Sequence, residues 1–64
     1  MIVNGESREY RQGLGLHELL AEMNVDGRAV AVMVGEDVYR PGRIPDVALR
    51  EGDVVEVVSM MQGG

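Results

Sequence analysis

The last residues of the chain carry its most distinctive chemistry. The sequence ends in Gln62, Gly63 and Gly64. A terminal Gly-Gly has no Cβ atoms and can adopt almost any backbone conformation, and its carboxylate is ionised at neutral pH. Such an end can thread a narrow active site of a partner enzyme. There, the carboxylate can attack the α-phosphate of ATP to form an acyl adenylate, and sulfur from a persulfide can displace AMP to leave a thiocarboxylate.

The rest of the chain offers few groups that could converge on an enzyme active site. His17 is the one imidazole, Ser7 and Ser59 are the hydroxyls besides two tyrosines, and there is no cysteine. A serine triad needs a histidine next to a serine and an orienting carboxylate, and no spacing here suggests one. A metal site built from His17, Glu18 and Glu22 lacks the ligands of a zinc or calcium site. We expect a protein that is not an enzyme, holds no metal or cofactor, and has His17 solvated on a helix.

Several segments have the pattern of β-strands. Residues 1–3 are followed by Asn4-Gly5, the dipeptide that favours a type I′ hairpin, so residues 6–12 should return as an exposed edge strand. Further strands are predicted by runs of branched apolar residues between turn residues, at 28–34, 38–40 and 54–61. Before the last of these, Asp46 is expected to cap a single helical turn that runs to Leu49.

One amphipathic helix is predicted, because four apolar residues recur at the spacing of a single helix face: Leu16, Leu19, Leu20 and Met23. Gly15 can serve as its N-cap, and Asn24 or Gly27 can end it. The preceding Gly13-Leu14-Gly15 lacks the third glycine and the lysine of a phosphate-binding loop, so we expect a flexible connection there.

A single apolar helix face needs a sheet to cover it. The order of elements therefore predicts an α+β protein with the β-grasp (ubiquitin-like) fold, in which one main helix packs on one face of a mixed sheet of four to five strands. A five-stranded barrel is the alternative. Residues 1–61 are expected to form the domain and residues 62–64 a flexible C-terminal tail.

The charge of the chain bears on its partners. Six arginines face eleven aspartates and glutamates, which gives a net charge of −5 at pH 7. That charge repels a phosphate backbone and an anionic membrane surface, so we expect neither nucleic acid nor membrane as a partner. The longest apolar run, residues 29–34, is far shorter than the ~20 residues that span a bilayer. We expect a soluble, cytoplasmic protein.

The sequence resembles a known family along nearly its whole length. Three segments carry the resemblance: the run 51–58 leading to Gly63-Gly64, the opening Val3-Asn4-Gly5, and the helix residues 16–20. In these segments the sequence resembles the ThiS family of sulfur carriers. The resemblance implies a sulfur carrier in biosynthesis of the thiazole moiety of thiamin. It further implies that a ThiF-like, ATP-dependent enzyme adenylates Gly64, that a desulfurase supplies the sulfur for a thiocarboxylate, and that a ThiG-like thiazole synthase receives it.

Alternation along the last strand predicts a docking surface. Burying an unpaired carboxylate at Glu56 in so small a core would cost too much free energy. Val58 and Met60 lie on the same side of the strand as Glu56, so they should face outward. Ile2 of the first strand should join them. We predict that Ile2, Val58 and Met60 dock the partner enzymes, while Gln62 and Gly63 thread their active sites.

Alternatives remain open from the residues alone. A sulfur carrier for tRNA thiolation or molybdopterin fits the same features, and so does a β-grasp interaction module whose terminal glycines are incidental. Arg40, Arg43 and Arg50 fit a rim that pairs with acidic partner residues or, more commonly, a solvated charged face.

Overall fold

The main helix and the five strands follow one another in the order that the hydrophobic pattern predicts. The computed structural model describes residues 1–59. Its elements, in chain order, are β1 (Ile2–Val3), β2 (Glu6–Ser7), α1 (Leu16–Glu22), β3 (Val30–Val34), β4 (Asp37–Tyr39) and β5 (Val54–Ser59). The α1 helix is too short to cross a bilayer, and no other helix occurs in this part of the chain.

The strands form one mixed sheet in the order β2-β1-β5-β3-β4. β1 and β5 are parallel, and the other neighbouring pairs are antiparallel. The parallel pair needs a long crossover, and α1 lies within that crossover, where its apolar side chains join those of the sheet in one core. This architecture confirms the predicted ubiquitin-like β-grasp fold. Because β2 and β4 are the two edges of the sheet, the barrel alternative is wrong.

The first hairpin confirms the predicted turn, but its second strand is shorter than expected. Asn4 (φ 52°) and Gly5 (φ 81°) both have positive φ, as a type I′ turn requires. β2 ends at Ser7 rather than extending to residue 12. The chain turns inward there because Tyr10 packs against the core and its hydroxyl donates to the Leu49 carbonyl at 3.1 Å.

The core draws on the helix, the sheet and two loop residues. Among residues 1–59, the nine buried apolar residues are Val3, Leu14, Leu16, Leu19, Leu20, Val30, Val32, Leu49 and Val55. The predicted helix face is therefore confirmed, with Met23 half-buried at the C-cap and Asn24 in the left-handed conformation just beyond it. The expectation of a flexible link before the helix is wrong, because Leu14 is buried and its carbonyl accepts a hydrogen bond from the Leu49 N–H at 2.9 Å.

The segment from Asp46 to Leu49 also differs from its prediction. It forms no helical turn; Ala48 instead makes a β-bridge with Gly15, the N-cap residue of α1. Asp46 caps α1 from this neighbouring segment, since its Oδ1 accepts a hydrogen bond from the His17 N–H at 3.0 Å. Gly15 has no side chain to cap the helix, and the carboxylate of Asp46 takes that role.

Candidate functional site

β5 carries Val58, one of the predicted docking residues, and occupies the middle of the sheet. Val55 is fully buried, whereas Val54, Glu56 and Val58 are exposed. Side chains alternate between the two faces of a strand, so one face of β5 packs against the core and the other faces away from α1. The orientation that Glu56 predicts for β5 is confirmed.

The sheet exposes apolar side chains on the face opposite the helix. Ile2 is 38% exposed, Val58 44%, Val54 49% and Val38 64%. The strand register places Ile2 opposite Val54, and cross-strand partners share a face of the sheet. We call these four residues the outer apolar face.

Two half-buried residues of β3 complete this surface. Ala31 pairs with Val58, and Met33 lies between Glu56 on β5 and Val38 on β4. The docking prediction from sequence left out Val54, which shares the outward side of β5 with Val58, and it left out Val38. The available signal was the turn at 35–36, which sets the register of the β3-β4 hairpin and so places Val38 on this face.

The predicted site residues divide into two groups. The structure brings Val58 and Ile2 to the same face of the sheet, on β5 and on its parallel neighbour β1. Met60, Gln62, Gly63 and Gly64 lie outside the described residues. The roles assigned to all six stay predictions.

Charged side chains form ion pairs away from the outer apolar face. Arg11 binds Glu18 at 2.6 Å and also binds Glu22, both on α1. The hydrogen bond from Arg11 holds the pKa of the Glu22 carboxyl below its ordinary value. Arg28 likewise lowers the pKa of Asp26 by donating hydrogen bonds to its carboxylate. These are exposed pairs, which contribute little to stability in water.

The three arginines considered as a rim belong to two different turns. Arg43 donates its backbone N–H to the Arg40 carbonyl at 3.0 Å, which closes a turn just after β4. Arg50 donates its backbone N–H to Asp53 Oδ2 at 2.8 Å in the turn before β5. The structure therefore gives no contact that unites the three side chains in one rim.

His17 is exposed, as predicted, and its ring contacts a neighbouring loop. Its Nε2 lies 2.6 Å from the Ile44 carbonyl oxygen, at the side of a cavity of about 330 Å³ that is lined by apolar residues and by the Asp26–Arg28 pair. No serine lines this cavity. Within residues 1–59, no three His, Cys, Asp or Glu side chains are placed to hold a metal ion. The described residues thus present an exposed apolar face and no cluster of three metal-binding side chains.

Comparison with known proteins identifies the family. The family model described as "ThiS family" matches residues 1–64. The chain belongs to the ThiS family. It is 48% identical to the sulfur carrier protein ThiS of Thermus thermophilus over 62 residues, which are 97% of this chain and 95% of that protein. It is also 33% identical to a segment of the thiazole synthase of Paramagnetospirillum magneticum, over all 64 residues and 20% of that protein.

Membership in the ThiS family confirms the resemblance seen in the sequence. It makes the chain a sulfur carrier by class, and not a catalyst. The five-stranded mixed sheet with one helix is consistent with the ubiquitin-like fold expected of that family. The match to part of a thiazole synthase points to the thiazole branch of thiamin biosynthesis.

Proposed function

We propose that this ThiS-family chain carries sulfur on its last residue, Gly64, for assembly of the thiazole moiety of thiamin. The observation that carries the proposal is similarity along the whole chain both to a protein named as a sulfur carrier and to a segment of a thiazole synthase. A carrier joined to its synthase in one polypeptide would deliver sulfur at a high effective concentration. The second match therefore supports a thiazole synthase as the sulfur acceptor here.

The proposed chemistry takes place at the chain end, on partner enzymes in the cytoplasm. The Gly64 carboxylate attacks the α-phosphorus of ATP in a ThiF-like enzyme and releases pyrophosphate. AMP is a better leaving group than oxide, so the terminal sulfur of a persulfide made by a desulfurase displaces it. A thiol then cleaves the S–S bond of the acyl disulfide and leaves the thiocarboxylate. The chain is a co-substrate in each step.

Two parts of the chain divide this work. In this proposal residues 1–61 are the domain that partners recognise, and residues 62–64 are the tail, of which Gln62 and Gly63 pass through a narrow channel. The absence of Cβ atoms in the two glycines suits such a channel. Because the three residues span at most about 10 Å, the domain has to dock close to the reaction centre.

The outer apolar face is the docking surface in this proposal. Val58 lies on β5, the strand that leads directly to the tail, and it is separated from Gly64 by at most about 20 Å of extended chain. Ile2 lies on the neighbouring parallel strand and extends the same face. Exposed apolar side chains grouped on one face are typical of interaction surfaces. Met60 would continue the pattern toward the chain end.

Replacing Val58 by Asp tests the docking surface. A carboxylate at this position would have to be desolvated in the complex, beside the exposed carboxylate of Glu56 on the same face. A carboxylate buried in an interface without a partner costs about 2 kcal/mol or more, so we expect adenylation at low carrier concentration to fall by about thirtyfold or more. The measurement is ATP–pyrophosphate exchange catalysed by the ThiF-like enzyme, with carrier concentration varied.

Gln12→Asp is the matched control. Gln12 is exposed in the loop before α1 and lies outside the sheet, and each variant lowers the net charge from −5 to −6. The control should be loaded like the wild type, and both variants should keep the wild-type circular dichroism spectrum. Equal loading of the two variants would contradict the assignment of the docking surface. Failure of the wild type itself to be adenylated would favour a non-carrier interaction module.

A further inference from the structure

Asn4, at the end of β1, makes two hydrogen bonds to β5. Its backbone N–H donates to the Val55 carbonyl at 2.9 Å. Its side-chain Oδ1 accepts a hydrogen bond from the Val57 N–H at 2.7 Å. At the same residue the backbone leaves the sheet, since Asn4 has a φ of 52° and begins the turn into β2. Asn4 is thus held on β5 by its side chain while its backbone turns away.

The two bonds reproduce the pattern of a parallel strand. The register pairs Ile2 with Val54 and Val3 with Val55, so the next position of β1 would lie opposite Glu56. In a parallel ladder, a residue donates to the position before its partner and accepts from the position after it. Asn4 does both, donating to Val55 and accepting from Val57. The side-chain oxygen of Asn4 takes the place of the backbone carbonyl that a third strand residue would supply.

This contact supports the part of β5 that β1 does not reach. β1 has two residues and pairs only with Val54 and Val55, whereas β3 pairs with β5 as far as Ser59. On the side of β5 that faces β1, the hydrogen bond between the Val57 N–H and the Asn4 side chain lies beyond the last paired residue, Val55. Val57 directly precedes Val58, the residue proposed to dock the partner enzymes.

We propose that Asn4 is a positioning residue for the carrier reaction. By holding Val57, its side chain fixes the direction of the second half of β5, and with it the direction in which the strand leads toward the reacting chain end. This inference rests on the proposed function of the chain as a sulfur carrier. A small misplacement of a reacting group can cost a large factor in rate, so the expected signature is a loss in kcat rather than in binding.

The conformation of Asn4 supplies a pair of variants that separate the turn from the hydrogen bond. Asp tolerates the left-handed conformation and retains a side-chain oxygen at the same distance from the backbone. Gly adopts the left-handed conformation without strain but has no acceptor. Asn4→Asp should therefore keep the contact with Val57, and Asn4→Gly should keep the turn but lose the contact.

The test has a structural readout and a kinetic one. By NMR hydrogen exchange, the Val57 amide should exchange about threefold to tenfold faster in Asn4→Gly than in the wild type, as expected for the loss of one net hydrogen bond, and at the wild-type rate in Asn4→Asp. In thiocarboxylate formation by the partner enzymes, kcat for Asn4→Gly should fall by about tenfold or more with KM little changed. Asn4→Asp should restore kcat, and Gln12→Asp controls for its added charge.

Two results would overturn the inference. One is an unchanged Val57 exchange rate in Asn4→Gly, which would show that the side chain does not hold β5. The other is faster exchange with wild-type kcat, which would show that the contact is structural and does not position the reacting end. Failure of the proposed function is distinguished from both, because the wild type itself would then not be loaded while the exchange difference between the two variants would persist.

Discussion

The N-terminus of α1 provides a stringent test of the packing described above. The helix begins after the N-cap residue Gly15, but the side chain that caps it belongs to Asp46, which lies much later in the sequence. Two substitutions act on the same contact from opposite sides. Asp46→Ala removes the oxygen that accepts the His17 N–H. Gly15→Ala adds a Cβ that would lie 2.6 Å from that oxygen, so the carboxylate has to move away.

The expected loss of stability follows from the hydrogen bond that caps the helix. Loss of an N-cap acceptor typically costs about 1 kcal/mol, and for a domain of this size that lowers Tm by about 4–8 °C. We expect Asp46→Ala and Gly15→Ala each to show roughly this loss. The three atoms nearest to the added Cβ all belong to Asp46. In the Asp46→Ala background, therefore, Gly15→Ala should cost little more.

The assay is a double-mutant cycle by urea denaturation. The four proteins are the wild type, the two single variants and the double variant, and the expected coupling free energy is about 1 kcal/mol. Asp46→Asn is the control for charge, since its amide oxygen can still accept the hydrogen bond and most of the stability should remain. Strict additivity of the two single changes would instead mean that Asp46 and Gly15 do not act through one contact.

Two further predictions concern the core and the surface of α1. Leu19 is fully buried against the sheet, so Leu19→Ala should lower the free energy of unfolding by about 2–5 kcal/mol, measured by the urea midpoint; a loss below about 1 kcal/mol would contradict the described core. Glu22→Gln removes one of the two carboxylate partners of Arg11. The pKa of Glu22 is lowered in the folded state. Its carboxylate therefore stabilises the fold at pH values above the ordinary pKa of glutamate, and this stabilisation is lost as the pH falls through the lowered pKa. The stability difference between Glu22→Gln and the wild type should therefore vanish in acid and shrink in high salt, and a difference that persisted under both conditions would exclude the ion pair as its cause.

The sequence predicts the elements well where local rules and burial agree. The leucine stripe of α1 has the spacing of one helix face, and the Asn4-Gly5 turn has a backbone geometry that few other dipeptides favour. The orientation of β5 follows from the cost of burying Glu56 in a small core. Each of these predictions depends on a few neighbouring residues, and each is confirmed in the structure.

The predictions fail where contacts between distant residues decide. Asp46 followed by apolar residues has the pattern of a capped helical turn, but its segment pairs with Gly15 and caps a helix formed much earlier in the chain. Leu14 between two glycines has the pattern of a loop, yet the core requires it. The hydrogen bond from the Val57 N–H to the Asn4 side chain likewise joins residues 53 positions apart. No local pattern contains the information that specifies such pairs.

The candidate site is predictable to a similar extent. Alternation places Val58 on the outer face once Glu56 has shown which side of β5 is exposed, and the expected fold places Ile2 beside it. Val38 requires the register of the β3-β4 hairpin, which depends on where the turn at 35–36 begins and ends. The family, in turn, is recognisable from the residues around β5 and from the closing Gly63-Gly64, and the match over residues 1–64 bears it out.

Mass spectrometry of the C-terminal peptide can show directly whether Gly64 carries the sulfur. The protein would be isolated from cells that also express its ThiF-like enzyme and a desulfurase, and its thiocarboxylate trapped by alkylation, because any of the five methionines can gain an oxygen of nearly the same mass as the exchange of oxygen for sulfur. The proposed role of Gly64 predicts one alkylated sulfur at this residue, absent when Gly64 is deleted. A sulfur-free C-terminal peptide from protein loaded under these conditions would contradict it.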